Sequence, residues 1–451
     1  MSQNNLQKFA IDDAMLKRFA ENTQKDTAAA RAVAKNGLQK ASVNQDVLRR
    51  HNFVFNTESK MGKITNQKQS GRCWIFAAMN AARAEVLTKL ELEDFNFSKV
   101  YPLFWDKLEK SNYFLESILE TLDEPRDGRL LAHLLKDPIQ DGGQWDMYAG
   151  ILEKYGAVPE SEMPETFHSS STSGMVSLIT RRLRAWACQL RKAYAEGSSE
   201  AELRERKEGM LAEVYQILVN CLGEPPKSFS FSYYDKNKKY HRMPELTPRE
   251  FFHELVSWKL EDKLSLINAP TADKPFGKVY TVKYLGTVKE AKPIHYLNLP
   301  IEVLKSAAIA ALKDGEPVWF GCDVGQMLLR EEGIMDLEAY DYAAVAGPEP
   351  AFSKAERLDY GESVLTHAMV FTGVELDEQG QPLRWKVENS WSDKSGHEGL
   401  FSMSDAWFDE YNYEIMVDKK YLPEEWHKAL DEEIIELEPW DPMGALAGLE
   451  S

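Results

Sequence analysis

Residues 66–90 read NQKQSGRCWIFAAMNAARAEVLTKL. A Ser-Gly pair precedes Cys73, a long helical run follows it, and Gln67 stands six residues ahead of it. The placement matters because a free thiol titrates near pH ~8.5 and is little ionised at neutral pH. At a helix N-terminus the peptide dipoles favour the thiolate, and a nearby imidazolium favours it further. Gln67 is placed to aim an amide N–H at an oxyanion beside Cys73, with the Cys73 backbone N–H as second donor. A lone cysteine at a helix start is more often a small packed residue. Other segments have to decide.

The chain has 451 residues, long for one hydrophobic core, and this length predicts two or three substructures. Its apolar content of 43% argues against wholesale disorder. A formal net charge of −18 repels phosphate backbones and anionic lipid, so neither nucleic acid nor membrane is expected as a partner. No stretch approaches the ~20 apolar residues that span a bilayer. The opening MSQNNLQKFAIDDAMLKRFAENTQK lacks a basic region leading into an apolar run, so no secretory signal is expected. The sequon Asn96-Phe97-Ser98 is then a chance match. The four cysteines, at 73, 188, 221 and 322, show no CxxC pairing, and a reducing cytoplasm is the expected location.

Patterning divides the chain into five stretches. Residues 1–50 read as a polar helical arm, and HNFVFN after them as a short strand. Residues 51–160 carry Cys73, an aromatic-rich helix in YPLFWDKLEKSNYFLESILETL, the loop KDPIQDGGQW, and a helix closed by Gly156. Residues 161–290 contain two strongly amphipathic helices, each stopped by glycine, and read as a helical insertion and assembly surface. Residues 291–420 read as helix, turn and buried strand in PIEVLKSAAIAALKDGEPVWFGCDVG. The strands LTHAMVFTGVELD, PLRWKVENSW and YEIMVDKKYL follow. Residues 421–451 form an acidic arm ending in PWDPMGALAGLES.

Two of those strands hold chemistry. His367 enters an apolar strand in LTHAMVF, where a lone histidine is usually a satisfied core residue. Asn389 interrupts a strand in VENSWS, where alone it is a turn former. A Cys–His pair, however, needs a third group to hold the imidazole's other nitrogen, and an Asn carbonyl does that. Trp391 is placed to cover the bond. Gln67, Cys73-Trp74, His367-Ala368 and Asn389-Ser390-Trp391, in that order, resemble the papain-like cysteine peptidases. Asp141-Gly142-Gly143 resembles that family's Asn-Gly-Gly stretch, where bare backbone lets an extended substrate pair as a strand. The resemblance implies an α+β, two-lobe fold, one lobe helical and one an antiparallel β-barrel-like sheet, with a large, mainly helical insertion. It implies Cys73 as nucleophile, His367 as proton carrier, Asn389 as its orienter and Gln67 as oxyanion donor. Gly142, Gly143, Trp391 and Ala447 are expected to line the substrate site, and no cofactor or metal is expected.

The chain departs from ordinary members in three ways. Cys73 and His367 lie 294 positions apart (367 less 73), against roughly 130–150 in the papain pattern. Ser70 and Gln140 stand where secreted members carry a disulfide. The 72 residues before Cys73 are too few for a long propeptide. These departures, together with KDGEPVWFGCDVG, VENSWSDKSGHEG and the terminal WDPMGALA, resemble the bleomycin hydrolase and bacterial aminopeptidase C branch. That resemblance implies a cytoplasmic aminopeptidase of broad specificity, a homohexamer with sites facing an inner channel, acting on peptides with a free N-terminus. In that branch a C-terminal arm lies in the cleft, and its carboxylate meets the substrate's ammonium. Here the arm would end at Ala447, but Gly448-Leu449-Glu450-Ser451 follow and span up to ~14 Å. The carboxylate then reaches its place only if the tail folds back, Glu450 substitutes, or Cys73 trims the tail in cis.

Rival readings are weaker. An endopeptidase of the same fold follows if the extension displaces the arm. A non-catalytic peptide-binding scaffold has no reason to keep Gln67, Cys73, His367 and Asn389. His253-Glu254-Leu255-Val256-Ser257 begins like a zinc-binding HExxH but lacks the second histidine. Cys188, Cys221 and Cys322 read as packing residues, His397 as structural or solvent-facing, and Asp431-Glu432-Glu433 as a solvated helix face.

Overall fold

A computed structural model describes residues 9–23 and 27–447; Gly448 to Ser451 and the start of the expected N-terminal arm lie outside the described residues. The chain divides into two compact units, Met1–Arg49 with Glu338–Ala351, and Arg50–Leu337 with Phe352–Ser451.

In the smaller unit, short helices at Asp13–Asn22, Thr27–Asn36 and Leu38–Ala41 follow one another. Asp12 caps the first, its carboxylate accepting the Met15 amide at 2.8 Å. The arm does not stand alone. Residues 338–351 return to it, with Val43 bridging Tyr340 and the Asp341 amide donating to the Ser42 carbonyl at 2.7 Å.

Among its described residues the larger unit carries fourteen strands: β1 (Thr57–Glu58), β2 (Phe229–Tyr234), β3 (Tyr240–Leu246), β4 (Lys263–Ile267), β5 (Lys278–Val282), β6 (Tyr296–Asn298) and β7 (Val318–Cys322), then β8 (Leu328–Leu329), β9 (Ile334–Met335), β10 (His367–Leu376), β11 (Pro382–Glu388), β12 (Leu400–Ser404), β13 (Asn412–Asp418) and β14 (Ile435–Leu437). Twelve form one sheet in the order β14-β5-β6-β4-β13-β7-β10-β11-β12-β9-β8, with β1 beside β10; β2 and β3 form a separate hairpin. Most pairs are antiparallel, while β4–β6, β5–β14 and β9–β12 are parallel. The fold is α+β.

Alternation along β10 gives the sheet two buried faces. Ala368 and Val370 join a core with Trp74, Trp145 and the helices of the Cys73 side. Met369 and Phe371 join a second core with Trp385, Phe408 and the Ile301–Lys313 helix. The Cys73–Lys89 helix is apolar almost all round and correspondingly buried, which is why it reads as a continuous run rather than an amphipathic one. The Ser173–Ala195 and Glu200–Leu222 helices pack on the Val100–Glu120 helix, each followed by a glycine at positive φ, Gly197 and Gly223.

Two local expectations differ from what forms. HNFVFN makes no strand; Phe53 takes a left-handed φ of 53° and stacks on His397 at 4.4 Å, so pairing begins only at Thr57. The stretch 161–290 is not helical throughout. Its α-helices end at Leu255, with one short 3-10 turn at Leu260–Asp262 beyond; the β2–β3 hairpin lies within it, and β4 and β5 already belong to the main sheet.

Candidate active site

The loop 66–72 is held from both sides. The Gln67 amide donates to the Ser390 carbonyl at 2.8 Å, and Asn66 bridges Trp391, so the segment before Cys73 is tied to the segment after Asn389. Within the loop, Gln67 Nε2 donates to the Ser70 carbonyl at 2.8 Å and Ser70 Oγ donates to the Gln67 carbonyl at 2.6 Å. One Gln67 amide hydrogen is thus engaged. The nitrogen has a second.

Buried charges then anchor the helix start. Arg72, fully buried, donates to both carboxylate oxygens of Glu165 at 2.9 and 3.0 Å. Asp141 accepts the Gly71 amide at 3.1 Å through its side chain and the Trp74 indole N–H at 2.8 Å through its carbonyl. Lys107 pairs with Asp141 at 2.9 Å. Burial would raise the Asp141 carboxyl, but Lys107, Thr172 and Gly71 outweigh it and hold it down at about 2. Lys110 donates to the Gln140 carbonyl at 2.9 Å and the Gly142 carbonyl at 2.5 Å. A pair of lysines on one helix therefore grips the backbone of residues 139–142 and couples it to the start of the Cys73 helix.

His367 is buried at the first position of β10, and the Cys73 helix packs against that strand. Its cross-strand partner is Cys322, whose thiol burial pushes well up, with Asp323 and Cys73 adding to the effect. His367 Nε2 meets Asn389 Oδ1 at 3.0 Å. The same oxygen accepts the Ser390 amide at 2.8 Å, which fixes the orientation of the Asn389 amide. A carbonyl oxygen only accepts, so Nε2 carries the hydrogen and Nδ1 is the basic nitrogen. The Trp391 ring lies 4.8 Å from the imidazole. Burial pulls the His367 pKa down to about 4; the Asn389 bond opposes this and Arg330 adds to it.

The glycine edge sits beside this group. A Cβ on Gly143 would fall 2.5 Å from the Trp74 ring, and one on Gly142 would fall 2.8 Å from the Ala447 carbonyl oxygen. Only glycine admits both neighbours. The Gly143 amide donates to that carbonyl at 2.9 Å, as an antiparallel bridge. Gln144 Nε2 donates to the Ala445 carbonyl, and Leu446 and Ala447 are buried. Thus His367 meets Asn389 and Trp391, the Gln67 backbone is tied to Ser390, the Cys73 helix packs on the His367 strand, and Gly142, Gly143 and Ala447 meet beside Trp74.

Sequence reasoning passed over the supporting charges. Asn80 and Arg83, on the inner length of the Cys73 helix, both donate to Glu388 Oε1, at 3.0 and 2.8 Å, just before Asn389. Their signal was visible: an Asn and an Arg inside the apolar run AAMNAARAE need a buried partner. Arg72 with Glu165, and Lys107 and Lys110 with Asp106 and Asp141, had no such local signal. Glu254 sits at the other end of the Cys73–Lys89 helix, where its carbonyl accepts Lys89; among the described residues no cluster of His, Cys, Asp and Glu could hold a metal.

The model of the Peptidase C1-like family matches residues 6–444. The chain belongs to that family. A Listeria monocytogenes aminopeptidase C is 49% identical over 431 residues, covering 96% of this chain and 97% of that protein. A human bleomycin hydrolase is 42% identical, covering 91% of each. The crystal structure of pepw from Lactobacillus rhamnosis superposes with a TM-score of 0.96 at 47% identity, covering 98% of this chain and 100% of that one. Within the Peptidase C1-like family the chain therefore stands in the papain-like branch of aminopeptidase C and bleomycin hydrolase, whose members are cysteine aminopeptidases. No helix among the described residues is long and apolar enough to cross a membrane.

Proposed function

We propose that the chain is a cysteine aminopeptidase in which Cys73 attacks the first peptide bond of a substrate with a free N-terminus. His367 Nδ1 takes the thiol proton, and the imidazolium then protonates the departing amine as the thioester forms. The same nitrogen activates water to release the amino acid and regenerate the thiol. Asn389 holds the tautomer that leaves Nδ1 toward the sulfur. The second hydrogen on Gln67 Nε2 and the Cys73 amide stabilise the oxyanion, each donor worth ~3 kcal/mol.

The observation that carries the exopeptidase reading is the Gly143–Ala447 hydrogen bond. An extended peptide would use that edge to pair further residues on its N-terminal side. With the edge taken by the chain's own segment, only a substrate that begins near the cleavage point fits. Cys73, Cys188, Cys221 and Cys322 form no disulfide, which supports a reducing, cytoplasmic setting. A homohexamer is part of the same reading, and sedimentation of the full chain tests it.

The decisive experiment compares an alanine arylamide with its N-acetyl derivative, before and after alkylation of Cys73. Cleavage of the free amine alone, abolished by alkylation, is the expected result. Equal cleavage of the blocked substrate would make the enzyme an endopeptidase. Activity surviving alkylation would remove Cys73 from the chemistry.

A further inference from the structure

Arg330 lies in the turn between β8 and β9, exposed, with its guanidinium carbon 4.0 Å from the centroid of the Trp391 ring. That indole is the one 4.8 Å from the His367 imidazole, and the Arg330 charge is felt there. Among the described residues Arg330 makes no ion pair and no side-chain hydrogen bond, although Glu331 and Glu332 follow it in the turn. The stacking on Trp391 holds the planar head while leaving its in-plane N–H groups open.

Position gives this cation a direction. On the aminopeptidase reading the acyl portion of the substrate lies toward Gly142 and Gly143, where Ala447 bridges Gly143. His367 must deliver its proton to the departing nitrogen, so the leaving portion of the substrate lies on the side of His367 and Trp391. In a dipeptide that portion is a single amino acid, with its carboxylate one Cα away from the nitrogen that receives the proton. In a chain of net charge −18, an unpaired guanidinium over Trp391 concentrates attraction for such an anion.

We propose, resting on the aminopeptidase reading above, that Arg330 is a specificity-determining residue that binds the C-terminal carboxylate of the leaving amino acid, so that dipeptides are favoured substrates. The guanidinium takes the carboxylate through paired N–H donors, held in plane by Trp391. Substrates whose leaving group carries no carboxylate gain nothing from it.

The test measures kcat/KM for Ala-Ala, Ala-Ala-amide and Ala-Asp-amide with the wild-type chain, Arg330→Met and Arg330→Lys. Wild type should favour the free acid over its amide by about tenfold, the order that a charge-assisted hydrogen bond supplies. The ratio should fall close to one in Arg330→Met, which keeps an apolar stem over Trp391, and lie between in Arg330→Lys. Added salt should erode the wild-type ratio. A wild-type ratio near one, a ratio unchanged in Arg330→Met, or a gain by the aspartyl amide equal to that of the free acid overturns the assignment. Hydrolysis that is Cys73-dependent but blind to Arg330 defeats this proposal alone, whereas hydrolysis indifferent to alkylation of Cys73 defeats the aminopeptidase reading beneath it.

Discussion

The Ala447 carbonyl accepts the Gly143 amide at 2.9 Å, so the chain's own terminal segment occupies the backbone edge on which an extended peptide would pair. On the proposed reading, selectivity for N-termini is set by the arm rather than by the reacting groups.

Removing residues 444–451 should therefore broaden the enzyme. The truncated chain is expected to cut N-acetylated peptides at internal bonds, with the preference for a free amine reduced at least about tenfold, the scale of one lost ammonium contact. Mass spectrometry of the products from a blocked decapeptide reads this directly. A product pattern identical to that of the full chain would mean that the arm does not set the selectivity.

The segment after Ala447 makes a separate prediction. If Cys73 removes Gly448 to Ser451 in cis, intact mass should show the tail retained in Cys73→Ala and lost in wild type. Retention in both, with normal aminopeptidase activity, would make trimming unnecessary.

Asn389 reaches the reacting groups through His367, since its oxygen meets Nε2 at 3.0 Å while also accepting the Ser390 amide. Asn389→Ala should lower kcat by about 10²-fold, within the range that a positioned general acid–base supplies. The alkylation rate of Cys73 should fall as well, because a misplaced imidazole no longer supports the thiolate. An unchanged alkylation rate would place Asn389 outside the ion pair.

Arg72 is fully buried and satisfied by Glu165. Glu165→Ala leaves that cation without its partner, and a loss of about 3 kcal/mol is expected in chemical denaturation. Glu165→Gln, which keeps one acceptor, should lose less.

Burial holds the Glu414 carboxyl up at about 8, with Ser265 opposing and Asp146 adding. Between the ordinary value of 4.5 and about 8, the folded chain keeps a proton that the unfolded chain has released. Stability from this group therefore falls as pH rises across that window, and the loss is complete above it. Glu414→Gln should flatten the decline measured by denaturation at pH 5, 7 and 9, and should be the more stable protein at pH 9.

Cys73, His367, Asn389 and Gln67 stand out in the sequence as residue types in the order that the proposed acyl transfer through a thiol would use. The long helices were legible too, since an apolar stripe at helical spacing and a glycine stop are local properties of the chain. The strands β4 and β5 were not, being five residues each and indistinguishable by periodicity from the loops around them. Only the folded chain decided that Lys107 and Lys110 grip the backbone before Gly143, that Arg72 meets Glu165, that Ala447 closes the glycine edge, and that Arg330 stacks on Trp391. Each of these joins residues far apart along the chain, and a contact made by chain crossing leaves no periodic mark at either end. The burial that depresses His367 and raises Glu414 is likewise set by everything packed around them, so their chemistry belongs to the tertiary structure even where their identity belonged to the sequence.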